Sequence, residues 1–175
     1  MDRQRTLTTT TRSADVGLPI DEVWDVVASG TSGPQWYVDA APFVFRGALD
    51  RLVGGAGRRH RPPGRSRLAT GDRVGFWRVL DADHRERRLL LEAQVRAPGR
   101  VRLEAIVSPG GSIGDEAASV VTLTITLEPR GLLGAAYLVA DLPARAVVAE
   151  LTMLHLLTVL RRHDNRWPVD SVEEA

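Results

Sequence analysis

The chain has 175 residues, which is enough for one domain of ordinary size and too few for two. Its 23 basic and 22 acidic residues leave a formal net charge of +1, so no strong overall field would draw it onto nucleic acid or an anionic membrane. The sequence contains neither cysteine nor lysine, which excludes disulfides, thiolate and lysine nucleophiles, and cysteine-ligated zinc.

One strand and two short helices are predicted for the first third of the chain. The threonine-rich residues 6–16 favour a strand. From Ile20 the apolar residues recur at helical spacing, with acidic residues in the first turn, where the helix dipole favours them. The same spacing predicts a second helix over residues 45–53. Trp36 and Tyr37 then fall on the connection between the two helices.

The middle of the chain predicts a long loop followed by antiparallel strands. Residues 54–72 are too rich in glycine, proline and arginine for a regular element. The apolar period then changes to two, and the short connections favour antiparallel pairing. In the last strand alternate residues from Val121 to Leu127 share one face, so one face of the sheet meets a core. The four predicted strands are 74–80, 89–95, 101–107 and 120–127.

A long helical stretch is predicted over residues 131–163, with Pro143 forcing a kink or a break. Its apolar residues lie on nearly all sides, which predicts burial on more than one side. Charged residues interrupt it too often for a membrane span, and the chain does not begin with an apolar signal sequence, so we predict a cytoplasmic protein. We expect one domain over residues 1–163 and an acidic tail over 164–175.

Four segments of the sequence carry a family resemblance: LDRLVGGAGRRHR (49–61), GDRVGFWRV (71–79), APGRVRLEA (97–105) and LEPRGLLGAAY (127–137). They resemble an uncharacterised family within the START-like, or SRPBCC, helix-grip superfamily, often met as the C-terminal part of chains that begin with an NAD(P)-binding domain. The resemblance implies an α+β fold in which a curved antiparallel sheet wraps around a long C-terminal helix. The superfamily includes lipid and hormone binders, polyketide cyclases and aromatases, and oxygenase subunits, so the fold alone selects no function.

Two positions depart from that family's pattern. Gly75 precedes Phe76 and Trp77 where an acidic residue is common, and Leu123 stands where a polar residue is common. The resemblance therefore implies a pocket with fewer polar groups than its relatives have. No glycine-rich turn follows the first strand, so no nucleotide is implied and we predict no cofactor.

The space between a sheet and the helix it grips is a usual form of small-molecule site. We predict that aromatic and apolar side chains line it: Trp36, Tyr37, Trp77, Leu123, Tyr137 and Leu151. His155 is the one histidine in the middle of the apolar helix, and with Tyr37 and Tyr137 it is a candidate general acid or base. The alternative is that these residues are ordinary core or half-exposed helix positions.

Other patterns in the sequence are weaker. Arg58, Arg59 and Arg61 of the long loop could bind the anionic end of a substrate, because guanidinium groups fork onto phosphates and carboxylates. They could equally belong to a solvated loop. Residues 110–114 match the G-x-S-x-G of hydrolases, but they lie between two predicted strands, which favours a hairpin loop. The four histidines lack metal-ligand spacing, so we predict no metal site.

These patterns leave three functional hypotheses. The first is a protein that binds a hydrophobic or amphipathic small molecule between the sheet and the C-terminal helix. The second is a polyketide cyclase or aromatase type of enzyme, which positions a bound acyl or polyketide chain and moves protons. The third is an interaction module whose apolar helix packs against a partner or against a second copy of the chain, as in a homodimer.

Overall fold

Six antiparallel strands form the main sheet of the protein in a computed structural model, which describes residues 8–32, 35–44, 60–95, 99–111, 118–129 and 142–164. In chain order the strands are β1 (Thr8–Val16), β2 (Ser29–Gly30), β3 (Arg65–Arg67), β4 (Arg73–Val74), β5 (Trp77–Asp83), β6 (Arg88–Ala93), β7 (Gly99–Pro109) and β8 (Ser119–Pro129). The sheet order is β1-β8-β7-β6-β5-β4, and β2 pairs separately with β3. Strands β5 to β8 pair in chain order, as their short connections predict.

The helices of the described residues are α1 (Ile20–Val27), α2 (Trp36–Asp39) and α3 (Leu142–Asp164), and residues 41–44 are also helical. The helical spacing predicted from Ile20 is confirmed, because α1 begins there and buries its apolar face. Helix α1 packs on β7, and α3 packs on β1, β8, α1 and α2. Strands and helices thus form an α+β fold in which the C-terminal helix lies against one face of the sheet, as predicted.

Residues alternate along the strands between the inner face, which α1 and α3 cover, and the outer face. Leu103, Leu123 and Leu89 are fully buried on the inner face. The outer face carries hydroxyl pairs and ion pairs, among them Arg102 with Glu128 at 3.2 Å. The predicted separation of a core face from a wet face is therefore confirmed.

The strand predicted over residues 74–80 is divided in two by a hairpin. Val74 of β4 lies opposite Trp77 of β5, and Gly75 and Phe76 form the turn between them. Gly75 has a φ of 60°, in the left-handed region that two-residue hairpin turns require and that glycine adopts without steric cost. The prediction of one continuous strand was wrong because this turn lies inside an apolar run.

Two further predictions for the first half of the chain need correction. Trp36 and Tyr37 lie in helix α2, not on a connection between helices. Strand β3 lies within residues 54–72, which were predicted to be loop throughout. The helix predicted over residues 45–53 lies outside the described residues.

Helix α3 is buried on one side and exposed on the other. Its buried residues include Ala149, Met153, Leu156 and Leu160, whereas Leu154 is 50% exposed on the opposite side. The prediction that this helix is buried on more than one side was therefore wrong. Within the described residues, α3 begins at Leu142, so Pro143 lies in the first turn, where its missing N–H breaks no helical hydrogen bond.

Within the residues that the structure describes, no helix combines the length and the apolar character needed to cross a membrane. Asp164, the first residue of the predicted acidic tail, is the last residue of α3. The rest of that tail lies outside the described residues.

Candidate ligand-binding site

The inner face of the sheet is apolar over most of its width. From β5 to β8 its central residues are Val79, Leu89, Leu91, Leu103, Ala105, Val107, Val121 and Leu123, all buried. The edge strand β1 differs, because the register places Thr8, Thr10 and Arg12 on this same face. Among the described residues of the six strands, Arg12 is the one charged residue of the inner face.

Arg12 lies directly opposite Leu123 in the β1–β8 pairing. Its Nε donates to Oε2 of Glu150 on α3 at 2.9 Å, and its Nη1 donates to the backbone carbonyl of Thr11. The ion pair therefore joins the edge of the sheet to the helix that covers it. Arg12 was not among the predicted site residues, although it alternates in β1 with inward-facing Ala14 and Val16 and so shares their face.

The predicted lining residues Trp36 and Tyr37 are fully buried in α2. Nε1 of Trp36 donates to the carbonyl of Val27 at 3.0 Å, which ties α2 to the end of α1. The two rings meet edge to face, with centroids 5.5 Å apart. Both residues therefore hold the core together, and neither is exposed at the mouth of a pocket. Their contact with a ligand stays a prediction.

The hydroxyl of Tyr37 donates to the carbonyl of Ser29 at 2.9 Å. Burial raises the pKa of this phenol, and the negative charges of Asp72 and Asp39 raise it further. Since its proton is held by a backbone carbonyl and its ionisation is unfavourable, this geometry disfavours the acid–base role predicted for Tyr37.

Trp77 and Leu123 are both buried on the inner face of the sheet. Nε1 of Trp77 donates to the backbone carbonyl of Tyr37. Its ring packs against Phe43 and Phe76, with centroids 5.2 and 4.9 Å away. Trp77 thus belongs to an aromatic cluster below α2, and Leu123 lies near the other edge of the sheet.

The absence of an acidic side chain at position 75 has a steric reason. A Cβ on Gly75 would lie 2.9 Å from Cγ1 of Val38, and the residue also has a positive φ. A side chain at this position would have to displace the side chain of Val38 in α2 and would also adopt a strained backbone conformation. The departure from the family's pattern at Gly75 therefore belongs to the packing of β4 and β5 against α2.

His155 is half-buried in α3, and its Nε2 is enclosed without a hydrogen-bond partner. A buried polar atom that lacks a partner costs about 1–3 kcal/mol. Most buried polar groups in proteins are paired, so such an exception calls for an explanation. Of the two predicted acid–base residues that the structure describes, Tyr37 and His155, His155 has the geometry that better fits the role.

The remaining predicted site residues are either exposed or outside the described residues. Leu151 is 42% exposed on the outer side of α3, so its predicted place in the lining was wrong. Tyr137, Arg58 and Arg59 lie outside the described residues. Arg61 is exposed beside His60, which pairs with Gly75 next to β4, at the opposite edge of the sheet from Arg12.

The structure also bears on two weaker sequence patterns, the G-x-S-x-G match and the spacing of the histidines. Gly110 and Gly111 follow β7, and the N–H of Gly110 bonds to the carbonyl of Ala118 just before β8. The G-x-S-x-G match therefore joins antiparallel strands, and its serine lies outside the described residues. Among the residues that the structure describes, no three histidine or acidic side chains are grouped so that they could hold a metal ion.

Residues 5–152 match the protein family described as "Protein of unknown function (DUF2867)". The chain belongs to this family. No curated protein matches the sequence. The family assignment thus covers most of the chain and names no activity.

Solved structures are similar to this fold at low sequence identity. Truncated norcoclaurine synthase from Thalictrum flavum is 11% identical, with a TM-score of 0.50 over 89% of this chain and 94% of that one. The Zhui aromatase/cyclase from a Streptomyces species is 14% identical, with a TM-score of 0.45 over 95% and 100% of the two chains. The first of these likenesses shows the fold, so the predicted α+β helix-grip fold is confirmed.

Proposed function

We propose that this protein binds a hydrophobic or amphipathic small molecule between the inner face of the sheet and α3. The observation that carries the proposal is the inner face itself, which is apolar and buried at its centre from β5 to β8 and carries Thr8, Thr10 and Arg12 on β1. Apolar walls with a few polar groups are the usual lining of small-molecule sites. The helix-grip fold, in which one long helix covers such a face, supports the same conclusion.

Native mass spectrometry of the purified protein tests this proposal. A bound apolar compound, released on denaturation and present at close to one per chain, is the expected result. Where the protein is isolated empty, uptake of the neutral apolar dye Nile red is the second measurement. A protein that carries no compound and takes up no dye contradicts the proposal.

The alternative is a polyketide cyclase or aromatase type of enzyme, and the unpartnered Nε2 of His155 favours it. In a bound polyketide the imidazole would accept a proton from the carbon that attacks. A carbon–carbon bond would form to a ketone carbon, and the proton would pass to that ketone's oxygen. Positioning of the flexible chain would supply much of the rate. The similarity to norcoclaurine synthase is at the level of the fold and transfers no substrate.

Replacement of His155 separates the enzyme from the simple binder. His155→Leu removes the unpartnered nitrogen and puts an apolar side chain of similar length in its place. For a cyclase, ring closure of a polyketide thioester is lost while uptake of Nile red persists. Unchanged turnover in this variant would remove His155 from the mechanism.

The third reading is a homodimer formed through α3, and the exposed side of this helix favours it. Val147 is 55% and Leu154 is 50% exposed there. A concentration series by light scattering tests the proposal, with Leu154→Arg as the variant that would dissociate a dimer. A monomer at all concentrations contradicts this reading.

A further inference from the structure

Arg12 combines two properties that are uncommon in one residue. Its backbone position places it on the inner face of the sheet, opposite the fully buried Leu123. Its side chain is nevertheless 36% exposed, because β1 is the edge strand. An arginine in such a place lays its aliphatic stem along apolar surface and keeps its charged head near water.

Much of the guanidinium's donor capacity is unused. An arginine side chain has five N–H donors, and here the described contacts engage Nε with Glu150 and Nη1 with the carbonyl of Thr11. Nη2 makes no hydrogen bond in the described part of the chain. Nη2, together with the N–H of Nη1 that Thr11 does not engage, is therefore available to a planar anion such as a carboxylate.

From this geometry we propose that Arg12 recognises the carboxylate of an amphipathic ligand whose apolar body lies on the inner face of the sheet. This inference rests on the proposed binding function and names the ligand class: a carboxylic acid with a long apolar body. In the described strands the polar side chains of the inner face are Thr8, Thr10 and Arg12 of β1 and Ser119 of β8, and the hydroxyl of Ser119 is already bonded to the carbonyl of Leu18. A ligand with one polar end fits this distribution.

Glu150 sets how strongly that carboxylate is held. Its own carboxylate occupies the Nε side of Arg12, and more than half of its side chain is exposed. An exposed ion pair of this kind contributes little to folding stability, so it can be broken or rearranged at small cost. A second carboxylate would be attracted by Arg12 and repelled by Glu150. Removing the charge of Glu150 should therefore tighten binding of an acid.

The experiment compares two probes that differ only at the head, decanoic acid and decanol. Displacement of Nile red measures both affinities near neutral pH for the full chain and four variants. Arg12→Gln removes the charge, Arg12→Lys keeps it without the planar fork, and Glu150→Gln removes the competing carboxylate. Arg78→Gln is the matched control, because Arg78 is exposed on the outer face of β5.

We expect the unmodified protein and Arg78→Gln to bind the acid about tenfold or more tightly than the alcohol, as a charge-assisted bond would give. In Arg12→Gln this preference should vanish while the alcohol still binds equally well. Arg12→Lys should keep part of the preference, and Glu150→Gln should increase it.

Two outcomes would overturn the inference, and they are distinguishable. If both probes bind but the preference for the acid is missing or survives in Arg12→Gln, the ligand class is wrong and the binding function stands. If neither probe nor the dye binds to any of the five proteins, the proposed function fails and this inference fails with it.

Discussion

The indole Nε1 of Trp77 donates a hydrogen bond to the backbone carbonyl of Tyr37, so strand β5 and helix α2 are joined inside the core. Replacing Trp77 by Phe removes the donor and keeps an aromatic ring against Phe43 and Phe76. We expect the free energy of unfolding to fall by about 1–3 kcal/mol, because a buried carbonyl loses a partner. Urea denaturation followed by circular dichroism measures it, and an unchanged midpoint would show that the bond contributes nothing.

Gly75 and Gly71 form a matched pair for a second prediction. Both have a positive φ, but a Cβ on Gly75 would lie 2.9 Å from Val38, whereas nothing lies within 4 Å of one on Gly71. Gly71→Ala carries only the backbone cost of about 1–2 kcal/mol. Gly75→Ala should lose about 1–3 kcal/mol more, because the added methyl group overpacks the core.

A double variant checks that the extra cost is steric. Val38→Ala removes the two methyl groups nearest to position 75, so Gly75→Ala should cost less in that background than in the unmodified protein. Equal costs in the two backgrounds would rule out the clash with Val38 as the cause.

Burial raises the pKa of Tyr37, which predicts a particular alkaline sensitivity. The unfolded chain ionises this phenol near its ordinary pKa of about 10, while the folded protein keeps it protonated. The folded state therefore binds more protons above that pH, and stability falls as the pH rises further. In Tyr37→Phe this part of the decline disappears.

The sequence has few other side chains that titrate in this alkaline range. It contains no lysine or cysteine, and Tyr137 is its other tyrosine and is common to both proteins. Urea midpoints between about pH 9 and pH 12 should fall more steeply for the unmodified protein than for Tyr37→Phe. Parallel curves would mean that Tyr37 ionises as readily in the folded protein as in the unfolded chain.

Leu156 and Leu151 provide a pair on the two sides of α3. Leu156 is fully buried and Leu151 is 42% exposed. We expect Leu156→Ala to lower the free energy of unfolding by about 2–5 kcal/mol, since it leaves a cavity in the core. Leu151→Ala should change it by about 0.5 kcal/mol or less. A large effect of Leu151→Ala at low protein concentration would contradict the described orientation of the helix.

The spacing of apolar residues along the sequence predicted those helices and strands that bury one face and pack against elements close to them in the chain. Ile20 marked the start of α1, and the alternation from Val121 to Leu127 identified the inner face of β8. Both patterns arise because a regular element with one buried face repeats its apolar residues at its own period. The family resemblance then supplied the arrangement of sheet and helix.

Features decided by long-range contacts were missed. The hairpin at Gly75 depends on close packing against Val38, which the sequence pattern does not reveal. The place of Arg12 on the inner face depends on its register with Leu123, and its ion-pair partner Glu150 lies 138 positions later. Leu151 was wrongly predicted to be buried, because the apolar character of a helix residue does not by itself show whether it faces the core or solvent.

The pairing of β1 with β8 joins residues that are far apart in the chain, and Thr11 and Thr124, for example, are 113 positions apart. Strands β5 to β8 can pair through short loops, but β1 must wait until β8, which ends at Pro129, has left the ribosome. The entropy of closing so large a loop opposes its early docking. We therefore expect β1, and Arg12 with it, to join the sheet last during folding, so that an incomplete chain exposes the edge of β8.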